Sequence, residues 1–103
     1  MYKLEYLPMA RQDITDIARY VSNELSNPTA AEQLINEMIE SADNTTKFPY
    51  ANPVYRPIRP LQHEYRRLFV RNYIMFYSVD ETKKLITIFR VVYARKNYEG
   101  MLK

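Results

Sequence analysis

The chain predicts an α+β fold: a helical hairpin packed on a mainly antiparallel sheet of about four strands. Three observations lead there. Residues 9–46 carry apolar side chains at three-and-four spacing, which marks helices. Residues 64–95 carry runs that are apolar on both alternating faces, as strands covered on two sides do. Tyr2 to Leu7 alternates with period two, which adds one strand ahead of the helices. A length of 103 residues suits a single domain, 1–103, with one modest core.

In the first strand Tyr2, Leu4 and Tyr6 share a face and Lys3 and Glu5 the other. Pro8 ends it and opens a helix, because proline suits a first helical turn. That helix is expected over Met9 to Ser26, with a stripe of Ala10, Ile14, Ile17, Ala18, Val21 and Leu25. Asn27-Pro28 supplies a cap and a first helical residue for the second helix, which runs to Thr46. Its stripe is Ala31, Leu34, Ile35, Met38, Ile39 and Ala42. With almost no linker the two form a helical hairpin, and the sheet is the surface their stripes must face.

Phe48 to His63 holds four of the six prolines and reads as an ordered, irregular loop. Strands follow at Glu64–Arg71, Tyr73–Val79 and Leu85–Arg95, separated by a tight turn at Asn72 and a polar turn at Asp80–Lys83. In the middle strand Tyr73, Met75, Tyr77 and Val79 face one way and Ile74 and Phe76 the other. In the last, simple alternation sets Ile86, Ile88 and Val92 against Leu85, Phe89 and Val91. A helical hairpin covers one face, so the other is expected to be an apolar groove of the kind that binds partners.

Composition removes several classes of function. Without cysteine there is no disulfide framework, thiolate metal site or cysteine nucleophile. Gly100 is the only glycine, so a glycine-rich phosphate loop is impossible. No apolar run approaches a membrane span, and the opening MYKLEYLP has no apolar signal core, which makes a cytoplasmic protein the expectation. Charge is unevenly placed. Met1 to Tyr55 has four Lys/Arg against eight Asp/Glu; Arg56 to Lys96 has ten against three. A basic half joined to an acidic half is either an unevenly charged solvated surface or a binding face for nucleic acid or an acidic partner.

The punctuation of the chain resembles the RelE/ParE toxin superfamily of bacterial toxin–antitoxin modules. The resemblance rests on ARQDITDIARY from Ala10 to Tyr20, Asn27-Pro28 with Ala30-Ala31, Phe48-Pro49 and Tyr65-Arg66-Arg67-Leu68. It continues through Asn72-Tyr73, Phe76-Tyr77-Ser78-Val79, Arg90-Val91 and Tyr93-Ala94-Arg95-Lys96-Asn97-Tyr98. It implies a growth-arresting toxin held by a cognate antitoxin, with operator DNA contacted only through the antitoxin complex and no membrane partner. Two targets belong to the two branches. The RelE branch resembles a ribosome-dependent ribonuclease that cuts mRNA by 2′-OH attack, using fixed positive charge and a proton relay. The ParE branch resembles a non-enzymatic inhibitor of DNA gyrase. The RelE pattern has an arginine after the aromatic residue that follows the tight turn. Here that slot is Ile74, which cannot bind phosphate, and the ParE-like branch fits better.

If the chain is a nuclease, the resemblance implies Arg66 and Arg95 as phosphate-binding residues, with His63 and Tyr93 as acid/base groups. Arg59, Arg71, Ile74, Phe76, Lys96 and Tyr98 are the expected contacts to target or partner. Each has a plainer alternative. His63 is the only histidine, stands without a metal-ligating cluster and suits a hydrogen-bonded or solvent-facing loop position. Arg66 and Arg67 point to opposite faces of a strand, so Arg66 is read as the groove residue and Arg67 as structural, reaching solvent or paired with a helix acid such as Asp13, Asp16 or Glu37. Arg90, inside an apolar strand, suits a structural salt bridge at least as well as a site, because its charge is costly to bury without a partner. Tyr55 and Tyr93 suit stacking on bases or, among ten tyrosines, packing in the core. No metal or organic cofactor is expected.

Overall fold

A computed structural model describes residues 1–57, 61, 63–96 and 98–102. The chain runs β1 (Lys3–Tyr6), α1 (Pro8–Arg19), a π-helical turn (Tyr20–Glu24), α2 (Pro28–Thr45), β2 (Arg66–Val70), β3 (Tyr73–Asp80), β4 (Leu85–Tyr93) and a short 3-10 turn (Glu99–Leu102). The sheet has the order β1-β4-β3-β2. The β2–β3 and β3–β4 pairs are antiparallel, whereas β1 lies parallel to β4 with Lys3 opposite Leu85. Among the described residues, no helix is long and apolar enough to cross a membrane.

The helices start where the sequence places them. Pro8 opens α1, and the Asn27 side chain accepts a hydrogen bond from the Ala30 amide at 3.1 Å, with Pro28 beginning α2. The first helix departs from its expected course at its end. The Leu25 amide donates to the Tyr20 carbonyl, five residues back, which puts an extra residue into the turn. Leu25 therefore leaves the stripe and is 55% exposed. Ser26 then takes a left-handed φ of 50° and Asn27 donates back to the Val21 carbonyl, closing the helix end.

Ala10, Val21, Ala31, Leu34, Met38 and Ala42 from the helices meet Leu68, Val70, Met75, Tyr77, Ile86, Ile88 and Val91 of the sheet. Each large side chain buried this way contributes about 1.5–3 kcal/mol. The alternation of β3 is as expected, but that of β4 is not. A bulge opposite Phe76/Tyr77 sets Phe76 against Arg90 and Tyr77 against Ile88, leaving Phe89 as the extra residue. One inserted residue reverses strand parity. Val91 thus faces the helices and Val92 the far side, the opposite of simple alternation.

Among the described residues the expected open groove is also absent on that far side. Tyr65, Ile74, Phe76 and Val92 are covered by the chain itself: by Leu102 of the 3-10 turn, with Tyr55, Leu61, Tyr98 and Met101 around it. Apolar side chains on the second face recruited the tail and the Pro-rich loop, since leaving them in water would forfeit the burial energy.

Candidate functional site

A cleft of about 760 Å³ opens on the helix side, at the end of β4. Ile17 and Tyr20 line it from α1 and the π-helical turn, with Leu25 just beyond, Tyr73 from β3, and Tyr93 and Lys96 from the end of β4. Its volume falls within the range of ligand and anchor-residue pockets. Tyr73 and Tyr93 are register partners whose rings meet edge-on at 5.7 Å. Burial pushes the Tyr73 phenol above its usual range, and the neighbouring Tyr20 and Tyr93 phenols add to this. Tyr20 and Tyr93 remain about half exposed, so the rim offers aromatic bodies with polar tips, a combination suited to protein contacts.

The inner wall is an ion pair. Arg90 donates to both oxygens of Asp13 at 2.8 and 3.0 Å, and the Val91 amide donates to the same carboxylate at 2.9 Å. β1 ends with Leu7 donating to the Ile88 carbonyl, so the Val91 amide lies beyond it and Asp13 takes the place of a strand. The carboxylate holds the Arg90 guanidinium above its already high range. This is the structural salt bridge that an arginine in an apolar strand requires. The cleft thus combines tyrosine rims, the exposed Lys96 and a wall whose charges are paired with each other.

The arginines have definite partners. Arg66 donates to the Asn52 carbonyl at 2.7 Å and the Tyr50 carbonyl at 3.4 Å, lies over the Tyr50 ring, and reaches Glu64 at 3.7 Å. Close by, the Tyr77 hydroxyl donates to the Pro49 carbonyl and accepts from Asn52, and Tyr50 donates to Glu81 at 2.6 Å. Arg66 thus fastens the Pro-rich loop. Arg71, at a left-handed φ of 52°, makes two 2.8 Å bonds to Glu37 of α2. Arg95 is exposed. Arg59 lies outside the described residues.

Of the residues expected for nuclease chemistry, Arg66, His63 and Tyr93 do not converge. Arg66 and Tyr93 are separated by the four register steps from Tyr77 to Tyr73, about 13 Å along the strands. His63 is exposed, its ring near Tyr65 and Phe89 on the far face, whereas Tyr93 borders the helix-side cleft. The expected contact residues divide as well. Ile74 and Phe76 are 2% and 0% exposed and offer no contact surface in this conformation. Tyr98 packs its ring at 5.2 Å from Phe76 and 5.8 Å from Tyr55. Among the described residues of that group, Lys96 alone borders the cleft. Among the described residues no group of three or more His, Cys, Asp or Glu side chains could hold a metal ion. Sequence reasoning missed Tyr20 and Tyr73 as cleft residues. Both carried a signal, since each occupies a conspicuous aromatic position beside a break in regular structure.

A helical hairpin on one face of a four-stranded mixed sheet, with β1 beside β4, is the fold of the RelE/ParE superfamily. Residues 4–98 match the family model described as ParE toxin of type II toxin-antitoxin system, parDE, and the chain belongs to that family. Solved structures with the same fold include a chain of the chromosomal ParDE toxin–antitoxin system from P. aeruginosa. It has a TM-score of 0.73 and 18% identity, covering 92% of this chain and 98% of that one. Another is a chain of the toxin–antitoxin complex RelBE2 from Mycobacterium tuberculosis, with a TM-score of 0.65 and 16% identity, covering 89% and 96%. No curated protein matches the sequence.

Proposed function

We propose that this toxin is bound and silenced by a cognate antitoxin, and that it arrests growth in the cytoplasm by gripping DNA gyrase rather than by cutting mRNA. The observation that carries this reading is the commitment of its strand arginines. Arg66 is given to loop carbonyls and Arg90 to Asp13, so neither guanidinium is held ready for a developing phosphorane. The Ile74 slot adds no charge, being apolar and buried. What stays exposed, Tyr20, Tyr93 and Lys96 around the cleft, suits contact with a protein. Operator DNA is met, in this reading, only through the antitoxin.

The experiment induces this chain alone in a bacterial host while mRNA ends and the DNA-damage response are followed, with a supercoiling assay on purified gyrase in parallel. DNA damage with intact mRNA, together with inhibited supercoiling, is expected. Early cuts within translated codons before any DNA damage would overturn the gyrase reading and restore Arg95 and His63 as suspects. Substituting Tyr93 and Lys96 together by alanine is expected to weaken gyrase inhibition at least tenfold while the fold, read by circular dichroism, is unchanged.

A further inference from the structure

Among the described residues a cation lies over an aromatic ring in four places: Arg66 over Tyr50, Arg67 over both Tyr55 and Phe69, and Lys84 over Tyr2. The three tyrosines of the cleft, Tyr20, Tyr73 and Tyr93, carry no such cation. They stand close together. Tyr73 and Tyr93 meet edge-on at 5.7 Å. Burial first, and then the nearby Tyr20 and Tyr93 phenols, hold the Tyr73 phenol above its usual range. Tyr20 is 51% and Tyr93 41% exposed, so both are open to an incoming group. The electron-rich face of a ring attracts a cation, more strongly where water is partly excluded.

An acid beside them has acceptor capacity to spare. Asp16 lines the same cleft, and the Tyr20 amide donates to its carbonyl, so the two side chains lie four apart on one side of the helix. Asp16 Oδ1 accepts from Gln12 at 2.9 Å and lies 3.6 Å from Arg19, a contact between two exposed side chains. Asp16 Oδ2 accepts no hydrogen bond among the described residues. Asp13, the other acid of the cleft, has given both oxygens to Arg90 and Val91. Ile17 and Leu25 add apolar wall beside the rings.

We infer that the cleft takes the side chain of an arginine from a partner protein, its guanidinium laid against the tyrosine rings and donating to Asp16 Oδ2. A planar guanidinium shows its face to a ring while its in-plane N–H groups reach a carboxylate, which a lysine ammonium cannot match. The methylene stem packs on Ile17 and Leu25. Lys96 at the rim opposes a ligand with several positive charges and so favours a single cation over a polyamine. The inference rests on the reading that this chain works by binding proteins, and names the residue its cleft receives. Its test needs neither target nor toxicity, so either can fail alone.

The probe is a capped pentapeptide, Thr-Leu-Arg-Leu-Thr, titrated into the intact chain and followed by NMR. The ring signals of Tyr20, Tyr73 and Tyr93 are expected to shift together and saturate. Replacing the peptide's Arg by citrulline, which keeps the shape and removes the charge, weakens binding about tenfold, and so does Asp16→Asn in the protein. The citrulline peptide keeps the wild-type protein, so the result stands even if D16N folds poorly. No saturable shift at millimolar peptide, or equal binding of the citrulline peptide, overturns the proposal. So does spermidine that saturates the same three rings more tightly than the peptide, because the cleft would then serve a free polyamine.

Discussion

The Asp13 carboxylate holds the Arg90 guanidinium by two hydrogen bonds, tying α1 to β4 where the strand bulges and the sheet has lost its neighbour β1. Both side chains are only about 15% exposed. Removing one partner strands the other charge, along with the Val91 amide. Asp13→Ala is expected to cost about 3 kcal/mol. The double variant D13L/R90M removes both charges but still leaves the Val91 amide without its acceptor, and is expected to cost less, about 1–2 kcal/mol. Denaturant unfolding checks both, and equal losses in the two variants would show that the pair's charges were never the issue.

Alkaline pH is expected to unfold the chain cooperatively. Burial raises the phenols of Tyr6, Tyr65, Tyr73 and Tyr77 above 10.0, and Tyr50 is raised chiefly by its bond to Glu81. A raised folded pKa means that the unfolded chain releases its protons first. The contribution is therefore complete below the ordinary value of 10.0 and is lost as pH climbs toward the folded values. Phenolate absorbance and far-UV circular dichroism should change together above that point. Ionisation of these tyrosines near 10 with the dichroism intact would contradict it.

Acid acts in the opposite sense at Glu37. The hydrogen bond from Arg71 comes first in holding its carboxyl below the usual range. A lowered folded pKa gives stability that is present above the ordinary glutamate value and lost as pH falls through the folded one. NMR titration of Glu37 should return to an ordinary midpoint in Arg71→Ala. An unmoved midpoint would deny the pairing any role in solution.

Ser26→Gly is expected to stabilise the chain by about 1 kcal/mol, because the left-handed region costs a residue with a Cβ about that much. A raised thermal midpoint checks this, and an unchanged or lowered one contradicts it.

Leu102 seals the far face of the sheet. Leu102→Ala should cost about 2 kcal/mol and increase binding of an apolar dye, as Ile74 and Phe76 lose part of their cover. Loss of stability without added dye binding would mean that the tail closes over the gap.

Most of the architecture was legible from periodicity. The α2 stripe, the Asn27-Pro28 start and the two-faced β3 all follow from spacing and turn chemistry, because local preference and global packing agree there. The two failures of periodicity share one physical origin, an inserted residue. The π-helical turn moved Leu25 out of its stripe, and the bulge exchanged Val91 and Val92, and neither insertion leaves a trace in composition. The site was less legible for another reason. Which arginine is paired depends on where helix acids and loop carbonyls lie in space. Arg66 therefore took the structural part expected of Arg67 once the loop carbonyls of Tyr50 and Asn52 came within reach.

The pairing of β1 with β4 also has a consequence for biosynthesis. Lys3 and its neighbours leave the ribosome well before their strand partner, which begins at Leu85. Contacts so distant in sequence form late. A nascent chain that has not yet delivered β4 lacks the centre of its sheet and the inner wall of its cleft. A product terminated before β4 is thereby kept from assembling the sheet and the cleft together.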